Sequence, residues 1–253
     1  MKESIANQMS PSQVSGKLAT WHRVMEEGGL TYDDLQKPID DPVMRQRLIR
    51  YWRAGAPDCA REIMGANYFG IEEARAYFGI KPLDRELLAL AEIPFAEETL
   101  EECKDTHILA AIFPLCIRDI PYRADSRLLY DLQSYYDEPF TRYFSHASWQ
   151  LIRKTPIQDS TEKSYTEQQS LLKGNEKIPS VKDMVYALIG HYLATHERLF
   201  GNIFVRCSDT FSDNRRVQIG RFDSGGIVIC GGEDDSHSAN IGLAAARRGQ
   251  QIA

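Results

Sequence analysis

No two of the five cysteines, Cys59, Cys103, Cys116, Cys207 and Cys230, stand at CxxC spacing. A zinc ribbon or a disulfide framework needs close, paired cysteines, so the spacing points to reduced thiols in a reducing compartment. No apolar run reaches membrane length. The longest, Ile108 to Ile117, contains Pro114 and spans only ten residues, about half of the ~20 that a bilayer-crossing helix needs. The opening residues, MKESIANQMSPSQ, lack the apolar core of a secretory signal. These absences predict a cytoplasmic protein without membrane contact. G-x-G-x-x-G, GxxxxGK[ST] and GxSxG do not occur either, which removes the usual warrant for a dinucleotide fold, a P-loop or an α/β-hydrolase nucleophile. Nor is there an excess of positive charge. Thirty Lys and Arg stand against 36 Asp and Glu, for a net charge of −6. That balance argues against a nucleic-acid coat or a polybasic membrane anchor.

What is present is an ordinary globular composition, with 43% hydrophobic, 26% charged and 10% aromatic residues in 253. At ~100–200 residues per domain this makes one large domain or two modest ones. The first hundred residues read as helices. Val14, Leu18, Trp21 and Met25 recur at helical spacing before Gly28-Gly29, and Thr31 with Asp34 forms a capping box. Asp41-Pro42 opens a helix to about Arg53. IEEARAYF lies between Gly70 and Gly79, which suits a left-handed cap. Pro82 opens a further helix, Pro94 closes it, and another holds Phe95, Leu100 and Cys103.

The character changes at Thr106. HILAAIF is continuous, apolar and branched, as a strand buried on both faces requires. A helix is predicted over 125–136, a strand over Trp149–Lys154, and a polar surface excursion over 157–179. Ser180 caps the strongest helix, marked by Val181, Met184, Val185, Leu188, Tyr192 and Leu199 and stopped by Gly201-Asn202. Strands Ile203–Cys207, Arg216–Phe222 and Gly226–Cys230 follow with hairpin joints. Helices first and strands later define an α+β fold: a helical region over 1–105 packed on an α+β region over 106–253, or one integrated domain.

Several motifs carry chemical suggestions. FDSGGIVIC, Phe222 to Cys230, looks like the nucleophile segment of trypsin-like serine proteases. Those need a histidine and an aspartate upstream in a double β-barrel. Here the upstream half is helical, and His107 precedes Asp119 by only twelve residues, so a tight turn explains the string. His191 and His196 in HYLATHE are spaced i, i+5, which splays the rings apart where zinc proteases need i, i+4. EDDSHS and SDTFSDN are acidic loops without the ligand pattern of an EF-hand. Arg45, Arg47, Arg50 and Arg53 flank Tyr51 and Trp52 on one helix, a set that suits phosphate or base contacts. The next long stretch, from Asp84 to Asp105, has eight carboxylates against Arg85 and Lys104. Charge pairing therefore accounts for the arginines equally well.

Several longer stretches share a resemblance. EEGGLTYDDLQKPIDDP, AEIPFAEETLEECKDTHILAAIFPL, WQLIRKTP, HYLATHERLF, IFVRCSD and RFDSGG resemble a group of hypothetical proteins that recurs in candidate-phyla bacteria. The resemblance covers about Met25 to Arg248. It implies a bacterial, cytoplasmic origin and one integrated architecture, and it carries over no activity, cofactor or site residue.

Three functions remain. The first is a non-enzymatic binding or regulatory protein, because every catalytic signature fails. The alternative is a hydrolase assembled from loop ends, with Asp209, Asp213, Asp223, Ser224, Asp234 and His237 as candidates. The second alternative is an RNA or single-strand module using Arg45–Arg53, Trp149 and Arg153. A protein partner is expected over a nucleic acid, with no membrane, no cofactor and no metal.

Overall fold

A computed structural model describes residues 36, 40–42, 57–144 and 146–249. The chain divides into two units, Met1–Gly55 and Ala56–Ala253. The helices expected before Arg53, with their four arginines, fall outside the described residues apart from Gln36 and Asp40–Pro42. The second unit has the α+β composition expected. No helix among the described residues is long and apolar enough to cross a membrane, and all five thiols are free.

After a helical run over 57–64, β1 (Tyr68–Phe69) leads into α1 (Ile71–Phe78). The Glu73 carboxylate accepts the Gly70 N–H at 2.9 Å, closing the first turn. Gly79 ends the helix at φ 59°, the left-handed position that its lack of a side chain permits. Next come α2 (Asp84–Ala89), α3 (Glu97–Cys103) and β2 (His107–Ile112), all six of whose residues are buried. A single turn, α4 (Ile120–Arg123), precedes β3 (Ser148–Arg153). Then follow α5 (Tyr165–Gln169), β4 (Glu176–Lys177) and the long α6 (Val181–Thr195). The chain closes with β5 (Phe204–Thr210), β6 (Arg216–Asp223), β7 (Gly226–Gly232), β8 (Ile241–Leu243) and β9 (Ala246–Arg247).

Two mixed sheets result, ordered β1-β2-β3-β9-β4 and β7-β6-β5-β8. Helix α6 packs between them. On one side Tyr186 meets Phe69 of β1 with ring centroids 6.1 Å apart. Gly190 lets that strand approach, since a Cβ there would lie 2.9 Å from the Phe69 ring. On the other side Tyr192 meets Phe222 of β6 at 5.2 Å. Ser180 caps the helix by accepting the Asp183 N–H at 3.1 Å. Leu188 is 1% exposed at the centre of this packing. Leu188→Ala is expected to cost ~2–5 kcal/mol through lost burial and a residual cavity. A urea midpoint equal to the parent's would place the helix at the periphery instead.

Four expectations are corrected. Helix α6 stops at His196, not at Gly201. His196 takes φ 61°, and Thr195 Oγ1 donates to the His191 carbonyl at 2.7 Å, satisfying the last turn. The helix expected over 125–136 is two 3-10 turns, Ser126–Leu128 and Leu132–Tyr135. Between them Leu129 bridges Ile227, and the Tyr130 N–H donates to the Ile227 carbonyl at 2.9 Å, so the edge of β7 takes the backbone. The 157–179 stretch is anchored, not an excursion. The fully buried Gln168 donates to the Ser160 and Ile241 carbonyls at 2.6 and 3.1 Å, and Ile157, Tyr165, Leu243 and Ala245 form a small second core. Finally, the tail supplies strands to both sheets: β8 runs parallel to β5, and β9 lies between β3 and β4.

Candidate binding groove

The loop-end candidates do not converge. Register pairs Arg216 with Gly232 at one end of the β6–β7 ladder and Asp223 with Gly226 at the other. Seven residue steps of strand separate those ends by roughly 23 Å. Asp223 and Ser224 therefore sit far from Asp213 and Asp234. Asp223 accepts the Gly225 N–H at 2.7 Å, and Gly226 adopts φ 102°, so DSGG is hairpin chemistry and Ser224 is an exposed turn residue. Asp234 holds Arg216 through two bonds of 3.0 Å, and Asp213 holds Arg215 at 2.7 Å. Asp209 accepts the Val181 N–H at the start of α6, and burial, with Asp183 nearby, pushes its carboxyl above the usual range. His237 reaches the Glu162 carbonyl at 3.2 Å. Each of the four aspartates and His237 thus has a structural partner.

The histidine pair behaves likewise. His191 is buried with Nε2 2.7 Å from Glu197 Oε2, which also holds Lys154 Nζ at 2.9 Å, while His196 is exposed at the helix end. Asp119 faces the Cys116 thiol at 3.2 Å. No cluster of three or more His, Cys, Asp or Glu side chains that could hold a metal occurs among the described residues. Trp149 is buried and donates its indole N–H to the Leu90 carbonyl at 3.0 Å. It therefore offers no stacking surface to a base, which corrects its expected role in nucleic-acid contact.

A groove lies elsewhere, along α2. The Leu83 N–H donates to Glu86 Oε2 at 2.9 Å, fixing the first turn and burying that carboxylate. The bond from Trp149 then ties the helix end to β3. Beside α2 runs a groove of about 560 Å³, lined by Arg85, Glu86, Ala89, Pro114, Phe144, His146 and Ala147. A neighbouring recess of about 420 Å³ shares Ala89 and Ala147 and adds Leu88, Pro94 and Trp149. Leu88 is 78% exposed and Phe144 67%.

Comparison with protein-family models, with curated proteins and with solved structures finds no match. The groove must therefore be read from its own chemistry. Its lining is mainly apolar, with Arg85, Glu86 and His146 as its polar groups. Sequence reading did not find it. Leu88 reads as part of an apolar helix face, and only the aromatic density of YYDEPFTRYF before β3 hints at the second wall.

Proposed function

We propose that this chain is a binding protein whose α2 groove receives an apolar peptide segment flanked by Lys or Arg. The observation that carries this reading is that Phe144, which lines the groove, and Leu88, which lines the recess joined to it through Ala89 and Ala147, are large apolar side chains held in solvent. A folded chain leaves such a contiguous patch open chiefly where something covers it. Charge selects the occupant. Residues between 85 and 94 line the groove and its recess, and the 84–105 stretch to which they belong carries eight carboxylates against Arg85 and Lys104. A basic flank is steered towards that surface and an acidic one is repelled. Nucleic acid is disfavoured by the same charge.

Panning a random peptide library against the full chain tests this. Enriched peptides should combine apolar anchors with Lys or Arg. They should bind Leu88→Ser and Phe144→Ser variants at least about tenfold more weakly, the size expected for losing one anchor of an apolar contact. Peptides that bind parent and variants equally, or acidic enriched sequences, would remove this function. So would a concentration-dependent dimer in sedimentation that both substitutions abolish, since a second copy would then be the occupant.

A further inference from the structure

One corner of the five-stranded sheet collects His107 and two arginines that form no ion pair among the described residues. His107 pairs with Arg153 across β2–β3, and Leu151 pairs with Arg247 across β3–β9. Residues opposite each other, and residues two apart, share a face. His107, Arg153 and Arg247 therefore project from the same face, and Cys103, the last residue of α3, lays its buried thiol against the Arg247 guanidinium.

The donors there are unfinished. His107 is 3% exposed, its Nδ1 lies 2.8 Å from Thr106 Oγ1, and its buried Nε2 has no partner. Arg247 Nε is also buried without a partner. Neither Arg153 nor Arg247 forms an ion pair among the described residues. Glu176, opposite Arg247 in the register, gives its carboxylate to the Lys173 N–H at 3.0 Å. Arg153 Nε reaches only Thr155 Oγ1, at 3.5 Å. Glu102 is the acidic group nearest Cys103, and it is exposed. Confined cations without a counter-charge are costly, and an anion removes that cost.

We infer that His107, Arg153 and Arg247 form a binding site for a phosphate group, either inorganic or as a monoester. Two guanidinium forks supply paired N–H donors to the oxygens of a tetrahedral dianion. The unpartnered His107 Nε2 adds a further polar contact, donating to a phosphate oxygen or accepting from a phosphate hydroxyl according to its tautomer. The site shares no residue with the α2 groove or its recess and stands independently of that reading.

The test uses the full chain with ¹⁵N-labelled histidine. Sodium phosphate replaces chloride at constant ionic strength while the His107 ring resonances are followed. A saturable shift is expected, weakened at least tenfold in both Arg153→Gln and Arg247→Gln. Circular dichroism checks that each variant is folded. Arg153→Gln changes the more peripheral side chain, so it keeps the test decisive if Arg247→Gln does not fold. A parallel titration with methyl phosphate separates the two sources: equal affinity assigns a monoester, and loss of binding assigns the free ion. A drift that never saturates, or saturation unchanged in the folded variants, overturns the site.

Discussion

Arg206→Met is expected to destabilise the protein by about 3 kcal/mol, because it removes a charged donor and strands its acceptors. Arg206 is 0% exposed and forms no ion pair among the described residues, although the charge of Asp234 acts on it. Its guanidinium donates to the Lys163 carbonyl and Gln168 Oε1 at 2.9 Å each, and to the Glu233 and Ser236 carbonyls at 3.1 and 2.6 Å. One side chain on β5 thus ties the 163–168 segment to the 233–236 loop. Methionine fills similar space but donates nothing. Recovering the cost of burying a cation offsets part of the loss, and water reaches the more open carbonyls. Stranded acceptors still win, since each buried one costs ~1–3 kcal/mol. Urea unfolding measures the total. Hydrogen exchange locates it: the Glu162 and Tyr165 amides, bonded to the Ser238 and Asp234 carbonyls at 2.9 and 2.8 Å, should exchange faster. A parent-like midpoint with unchanged exchange at those amides would show that the clamp holds nothing.

Acidification from pH 6.5 to 4 is expected to remove about 3 kcal/mol through His107 alone, at ~1.4 kcal/mol per unit of pKa shift. Burial, then the charges of Arg247 and Arg153, pushes this imidazole from 6.5 down to about 4. The unfolded chain therefore takes up the proton first. Stability from His107 is complete above pH 6.5, declines through that window and is exhausted below about 4. His191 acts with the same sign, because burial lowers its pKa although Glu197 opposes the shift. His107→Gln keeps a polar side chain and deletes one titration. Its urea midpoints in phosphate-free buffer should fall less steeply than the parent's between pH 6.5 and 4.5. Glu73, whose carboxyl is lowered by Arg61, titrates in both proteins and cancels in the difference. Parallel profiles would mean that His107 is not held neutral by its surroundings.

The α+β class, the buried strand β2, helix α1 with its Gly79 cap, the Ser180 cap of α6 and the β5–β7 strands were all legible in the sequence. Each is written in neighbouring residues: a branched apolar run, a glycine after a periodic segment, a serine before one, an alternation broken by DSGG. Such signals act over a few residues, so periodicity and capping rules recover them. Tertiary structure decided the rest. The strands β4, β8 and β9 have two or three residues each, too few for a pattern, and exist because partners distant in sequence supply their hydrogen bonds. The 125–136 segment follows helical spacing, yet Ile227 draws its backbone into a bridge. Gln168 and Arg206 look like surface residues until their carbonyl partners, separated by up to 73 positions, close around them. The groove and the phosphate corner belong to this second class. His107, Arg153 and Arg247 come from three separate segments, and the groove lined by Phe144 and the recess lined by Leu88 lie where the bond from Trp149 ties α2 to β3. Local sequence sets which elements form, but long-range pairing sets which side chains meet, and a binding site is made of side chains that meet.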